Sequence, residues 1–249
     1  MSTPGPTRIA EAEFTALVET VQSLTPEEFA APTDCDGWTV FDIVAHLTGA
    51  AEEAVRPTVM VRHLVAGKTS LRHLPPADAL TQQQVADRES RTPAEVIAEL
   101  AALAPRVPPA RARIPRLVRR QHLPDPHAQP TDTLGYLLDV IYTRDVWMHR
   151  VDISRAISRP MAVSGVEREV VEAVVDDLRR GWSGPPFVLE LTGLVEGRWP
   201  IGETTGDTEI IGVDAVAWCR LMSGRSDETG LATGDSPTRV RLAQHRILF

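Results

Sequence analysis

Residues 133–158, TLGYLLDVIYTRDVWMHRVDISRAIS, carry the most informative residue pattern in the sequence. Its i, i+3, i+4 ladder begins with aliphatic side chains, as expected for the core-facing side of a helix: Leu134, Leu138 and Ile141. The second half of the same face carries Asp145, His149 and Asp152 instead. Burying carboxylates together with an imidazole is costly unless another group compensates them. The pattern therefore predicts a helix with a polar, functional second half.

A metal ion is one group that would compensate these side chains. Asp145 and His149 are four residues apart, so both can bind one cation from the same helix face. A third ligand should come from a facing helix, and His46 is the candidate. Two imidazoles and one carboxylate match a catalytic zinc site with an open position, although iron, nickel or another divalent ion would also fit.

Two ordinary structural roles remain open for the same residues. Asp145 and His149 can form an ion pair, with Arg144 or Arg150 nearby. Helical geometry points these two arginines away from the core face, where we expect them to form salt bridges. His46 can be a core histidine bonded to a backbone carbonyl. Asp152 fits a role behind His149 better than a role as a ligand, since a carboxylate there would fix the imidazole tautomer.

The first two-thirds of the chain shows helix signals. Thr39 and Asp42 form a capping box ahead of a helix in GWTVFDIVAHLTGAAEEAV, and Thr25 and Thr92 begin similar motifs. An amphipathic run from Ile9 to Leu24 precedes them. With the helix near residues 132–158, these elements predict a four-helix bundle over residues 1–160.

After residue 160 the pattern changes to a small α/β domain, residues 161–249. GVEREVVEAVVDDLRR predicts a helix, and PFVLELTG alternates in the manner of a strand. GRWPIG and TEIIGV predict two more short strands, and a further helix should follow from Asp214 to Ser223. The fold class expected for the whole chain is therefore α+β.

Residues 104–130 interrupt the helical pattern with prolines and six arginines. A long connection of this composition is either a solvated crossover, which charge runs favour, or a cationic rim for an anionic substrate. The sequence leaves its role open.

Composition excludes several function classes. The chain has 249 residues, 43% of them hydrophobic, and a formal net charge of -8. An acidic protein with 5% aromatic residues is a poor binder of nucleic acid or anionic membranes. Without a signal-peptide pattern or an apolar span, we expect a cytoplasmic protein, monomeric or homodimeric, with a small-molecule substrate.

The two cysteines do not suggest a disulfide framework. Cys35 and Cys219 lie far apart in the sequence, and we expect each to be a packed, inert thiol, since neither has an activating base nearby in the chain. Trp38 is interpreted in the same way, as a packing residue at a helix start.

Two motifs resemble one known family. DCDGWTVFDIVAHLTG, Asp34–Gly49, is similar to the GWTVxDVVAHL signature of the mycothiol-dependent maleylpyruvate isomerase family. YTRDVWMHRVDISRA, Tyr142–Ala156, resembles its second signature. The C-terminal third matches the family more loosely. The resemblance implies a DinB-like four-helix bundle followed by a small, sterol-carrier-like α/β domain.

The resemblance also implies a chemistry. The family holds zinc through one histidine of the first motif and a Glu/His pair of the second, which correspond to His46, Asp145 and His149. Asp145 stands where the isomerase has glutamate, one methylene longer. Mycothiol is implied as the thiol cosubstrate, for isomerisation or S-transfer, and Arg225 as an anchor for thiol or substrate.

Two other functions are compatible with the sequence. The small domain can enclose an apolar ligand, which would make the protein a binding module with a structural metal. The open metal position would also serve a hydrolase or lyase that uses bound water. Thiol dependence and metal-dependent turnover distinguish these possibilities.

Overall fold

The computed structural model describes residues 4–123, 129, 132–233 and 236–249. Contacts divide the chain into two compact units. One comprises residues 4–118 and 149–164, and the other comprises the described residues of 119–148 and 165–249. The domain boundary expected near residue 161 stays a prediction. The division by contacts changes unit after residue 148, within a helix, and again after residue 164.

The first unit is helical. Its helices are α1 (Pro6–Gln22), α2 (Pro26–Phe29), α3 (Val40–Val55), α4 (Pro57–Lys68), α5 (Pro76–Ala86), α6 (Pro93–Leu103) and α7 (Val107–Ala112). Proline stands at the first position of α1, α2, α4, α5 and α6, where its missing N–H costs no helical hydrogen bond. The apolar face of α3 is fully buried, and α3 lies against α4, α5, α6 and α7.

The stretch with the most informative residue pattern forms one helical segment. It comprises α9 (Leu134–Tyr136), a π-helical turn (Leu137–Ile141) and α10 (Tyr142–Ala156), after the short helix α8 (Arg116–Arg119). Thr133 caps its start by accepting a hydrogen bond from the Tyr136 N–H at 3.2 Å. The long helix predicted here is confirmed, with the π turn separating its aliphatic half from its polar half.

The second unit contains the sheet. Strands β1 (Phe187–Thr192), β2 (Gly197–Ile201) and β3 (Ile210–Asp214) are ordered β2-β1-β3, with β1 antiparallel to β2 and parallel to β3. Helices α11 (Glu167–Gly181), α12 (Ala215–Met222) and α13 (Pro237–Gln244) accompany it. The inward side chains Phe187, Leu189 and Leu191 are completely or almost completely buried. The α+β class and all three strands are confirmed.

The described part of the proline- and arginine-rich segment contains helical turns that neither sequence interpretation expected. It contains a 3-10 turn (Ala104–Arg106), α7 and α8. Arg111 is only 4% exposed, and its guanidinium lies 5.6 Å from the centre of the Phe14 ring. This arginine packs in the helical unit and belongs neither to a solvated crossover nor to a cationic rim. The remainder of the expected loop, residues 124–128 and 130, lies outside the described residues.

No helix in the described part of the chain is long and apolar enough to cross a membrane.

A buried ion pair holds the part of α10 that follows Met148 within the helical unit. Arg150 Nη1 donates to Glu13 Oε2 at 2.6 Å, and both side chains are fully buried. Arg150 also donates to the Ala162 carbonyl, and Ser164 donates to Glu13. Removing one partner of such a pair leaves an uncompensated buried charge, whereas an exposed pair contributes little.

Arg150→Met should therefore lower the free energy of unfolding by about 3–5 kcal/mol, because Glu13 loses its counter-charge. The exposed pair between Arg155 and Asp34 supplies the matched control, and Arg155→Met should cost no more than about 1 kcal/mol. Urea unfolding measures both. Equal losses in the two variants would contradict the role assigned to Arg150.

Candidate metal centre

His46 is positioned by the capped start of α3. The Thr39 hydroxyl accepts from the Asp42 N–H at 3.4 Å, and the Asp42 carboxylate accepts from the Thr39 N–H at 2.8 Å. This capping box begins the helix where the sequence predicted. Two turns later His46 is 9% exposed, at the edge of the buried face that contains Ile43 and Leu47.

Asp145 and His149 lie one turn apart on α10, which is continuous between them. His149 is 7% exposed, and Asp145 is partly exposed. One ligand atom from each of His46, Asp145 and His149 lies within 4.8 Å of the other two. The structure thus brings together the three residues that the sequence selected as candidate metal ligands.

Hydrogen bonds orient both imidazoles. His46 Nδ1 lies 2.7 Å from Gln84 Oε1, and His149 Nδ1 lies 3.1 Å from Asp152 Oδ2. Because an amide oxygen and a carboxylate only accept, each Nδ1 is the protonated nitrogen. This tautomer puts the lone pair of each ring on Nε2, the form in which a neutral histidine binds a metal. Asp152 lies behind His149, as the sequence suggested.

Gln84 is a site residue that sequence reasoning missed. It lies on α5, a helix that was not predicted, among three consecutive glutamines with no clear apolar period. Gly49 permits its position, since a Cβ at Gly49 would lie 2.5 Å from the Gln84 Cβ. A glycine inside the α3 motif was the available signal, because it marks a close approach of another element.

A network of charges ties α5 to α3. Arg88 Nη2 donates to Glu52 Oε2 at 2.9 Å and to Glu99 Oε1 at 2.6 Å, with Arg88 only 2% exposed. Burial acts to raise the pKa of Glu52, but hydrogen bonds and positive charge from Arg88 and Arg56 outweigh it and lower that pKa. Glu52 is thus ionised at neutral pH and holds Arg88 one turn after Gln84.

A further buried histidine joins α4 to the same two helices. His63 is 0% exposed, with Nδ1 2.5 Å from Glu53 Oε1 on α3 and Nε2 2.9 Å from Asp87 Oδ2 at the end of α5. Both of its nitrogens are engaged by carboxylates, so His63 braces the helices that carry His46 and Gln84.

Trp38 forms an aromatic wall beside the candidate ligands. Its ring centre lies 5.5 Å from that of His46 and 6.2 Å from that of His149, and it is stacked on the latter at 19°. The two imidazoles are 5.2 Å apart in an edge-on arrangement. Trp38 therefore has the expected packing role, and it packs at the site itself, against both imidazole rings.

Cys35 differs from its sequence interpretation. Its Sγ donates to Asp152 Oδ2 at 3.5 Å, and it shares a possible cation-binding group with His149 and Asp152. The thiol is thus close to a carboxylate and an imidazole that are distant in sequence. For Cys219 the expectation of a packed thiol agrees with the structure, since it is fully buried and burial raises its pKa.

The arginines selected from sequence have different environments. Arg144 and Arg150 make salt bridges, as suggested, but they are buried and do not point away from the core. Arg144 donates to Asp177 at 2.6 Å within the sheet-containing unit. The wide guanidinium can enter a core when a carboxylate compensates it, which helical geometry alone does not reveal. Arg225 donates to the Ser223 hydroxyl at 2.8 Å, and its role as an anchor stays a prediction.

Comparisons with known proteins agree with the motifs. A family model described as the mycothiol maleylpyruvate isomerase N-terminal domain matches residues 10–154. The chain is similar to the crystal structure of the mycothiol-dependent maleylpyruvate isomerase, with 15% identity, a TM-score of 0.58 and 90% of each chain covered. A mutant of that enzyme with one histidine replaced by alanine matches equally well. No curated protein gives a significant match. Because the family model spans more than half of the sequence, the chain belongs to the family of the mycothiol maleylpyruvate isomerase N-terminal domain.

Proposed function

We propose that the chain is a zinc-dependent enzyme that uses mycothiol to isomerise, or to transfer the thiol to, a small electrophilic substrate. The observation that carries the proposal is the convergence of His46, Asp145 and His149 within 4.8 Å. Membership of the family and the fold shared with a mycothiol-dependent isomerase support it.

The donor set fits zinc. Two neutral imidazoles and one carboxylate are the ligand types of catalytic zinc sites, which keep one position open. Asp145 is one methylene shorter than glutamate, yet its carboxylate still lies within 4.8 Å of the ligand atoms of both histidines. Zinc bound by these residues would supply the positive charge that keeps a thiol deprotonated at neutral pH.

The surrounding side chains prepare the site for this chemistry. Gln84 and Asp152 fix the tautomers of His46 and His149, so neither ring must reorganise on binding. Trp38 lies against both rings, stacked on His149 and tilted to His46. Asp145 is the most exposed of the three candidate ligands, which favours approach of the thiol from its side.

The two possible reactions differ only in their final step. Addition of a thiolate to a conjugated double bond leaves an enolate with a single bond that can rotate. Elimination of the same thiolate then gives the isomer, whereas protonation of the enolate, which returns the proton that the thiol gave up, and release of the adduct give transfer. Both require a deprotonated thiol beside the electrophile, so the site is compatible with each.

Wild-type protein purified without a metal-affinity tag should contain close to one zinc per chain by mass spectrometry. Asp145→Ala and His149→Ala should each lose that zinc and the mycothiol-dependent turnover of maleylpyruvate, used as the probe substrate. Asp139→Ala is the matched control, since Asp139 lies on the same helical segment but pairs with Arg119.

Wild-type protein that takes up no zinc after incubation with the metal would refute this function. Metal-dependent turnover that needs no thiol would instead indicate a hydrolase or lyase that uses bound water.

Gln84→Leu should weaken zinc binding by about 10–100-fold, because His46 loses the acceptor that fixes its tautomer. Gln84→Glu should bind zinc at least as tightly, since it keeps an acceptor at the same place. Competition with a chelating dye gives the Kd. Gln82→Leu, an exposed position on α5, is the control, and an equal loss there would contradict the role of Gln84.

A further inference from the structure

A second group of ligand-type side chains lies beside the candidate zinc residues. Cys35, His149 and Asp152 each offer one atom within 4.8 Å of the other two. Asp152 is fully buried, His149 is 7% exposed, and Cys35 is partly exposed. Cys35 lies in the turn before α3, whereas the other two lie on α10, so the group joins two separate parts of the helical unit.

The spacing of this group suits one shared cation. Tetrahedral zinc ligands lie about 3.3–3.6 Å from one another when the bonds have their usual lengths. Cys35 Sγ lies 3.5 Å from Asp152 Oδ2, and His149 Nδ1 lies 3.1 Å from the same oxygen. These contacts are therefore close enough for a shared cation, and a cation larger than zinc would move the three atoms slightly apart.

We propose that Cys35, Asp152 and His149 Nδ1 form a second cation site, selective for thiophilic divalent metals such as Cd²⁺. Sulfur is the softest donor in either group, and a thiolate favours soft metals over hard ones. The group of His46 and Asp145 offers only nitrogen and oxygen besides His149. The two groups thus differ in which metals they prefer.

Protons balance in a simple way on binding. The cation replaces the thiol proton of Cys35, which passes to solvent. The proton on His149 Nδ1 moves to Nε2, so the imidazole stays neutral while Nδ1 becomes the ligand atom. Asp152 exchanges its hydrogen bonds from Cys35 and His149 for one bond to the cation.

Because His149 belongs to both groups, the two sites compete. A neutral imidazole has a single lone pair and can serve one cation at a time. A thiophilic cation on Cys35 therefore withdraws His149 from His46 and Asp145. If the proposed zinc function holds, a soft metal bound at this site would inhibit the enzyme.

A cavity gives access to this side of the unit. It has a volume of about 530 Å³ and is open to solvent, with this lining: Pro32, Thr33, Asp34, Arg155 and Ala156. Asp34 directly precedes Cys35 in the chain, and Arg155 follows Asp152 by one helical turn. The cavity thus lies beside the two segments that carry Cys35 and Asp152.

Titration of the metal-free protein with Cd²⁺ tests the proposal. A thiolate-to-cadmium charge-transfer band should grow in the ultraviolet and saturate at one equivalent per chain. Cys35→Ser should abolish the band, and Asp152→Asn should weaken cadmium binding by more than about tenfold. Cys219→Ser, the matched control, should keep the band unchanged.

Asp145→Asn separates this site from the proposed zinc function. It should lose zinc but keep the cadmium–thiolate band, since Asp145 belongs only to the other group. In the wild type, Cd²⁺ should also protect Cys35 from alkylation, detected by peptide mass, which tests the site without any substitution. A wild-type protein with no band, a band that survives Cys35→Ser, or unprotected Cys35 would overturn the proposal.

Discussion

The arrangement of the candidate site depends on two imidazoles held face to edge inside a helical unit. The ring centres of His46 and His149 are 5.2 Å apart, and each ring is fixed by one hydrogen bond at Nδ1. Two neutral imidazoles in one tautomer present their Nε2 lone pairs for metal binding. Without Gln84 and Asp152, each ring would have two tautomers to choose from, and the site would lose its preorganisation.

The rest of the helical unit can be understood as support for those two contacts. Gly49 allows α5 to approach α3 closely enough for Gln84 to reach His46. The Arg88–Glu52 pair and the His63 bridge then hold α5 and α4 against α3. The buried pair of Arg150 and Glu13 anchors α10 immediately after His149. A buried charged group needs a compensating neighbour, and each of these pairs supplies one.

Sequence patterns predicted the structural elements whose pattern lies within a few neighbouring residues. The capping box of Thr39, the alternation of β1 and the polar second half of α10 each depend on neighbouring residues, and all were predicted. Helices α4 and α5 were missed because their apolar periodicity is weak. Gln84 and the contact of Cys35 with Asp152 depend on residues more than thirty positions apart, so no local pattern could indicate them. The buried arginines were misplaced for the same reason, since their compensating carboxylates are distant in sequence.

X-ray absorption at the zinc edge, on protein loaded with one equivalent of zinc, would identify the atoms that bind the metal. We expect a first shell of nitrogen and oxygen with the outer-shell scattering of two imidazoles, and a sulfur ligand that appears when mycothiol is added. A first shell without imidazole scattering, or one in which mycothiol adds no sulfur, would contradict this expectation.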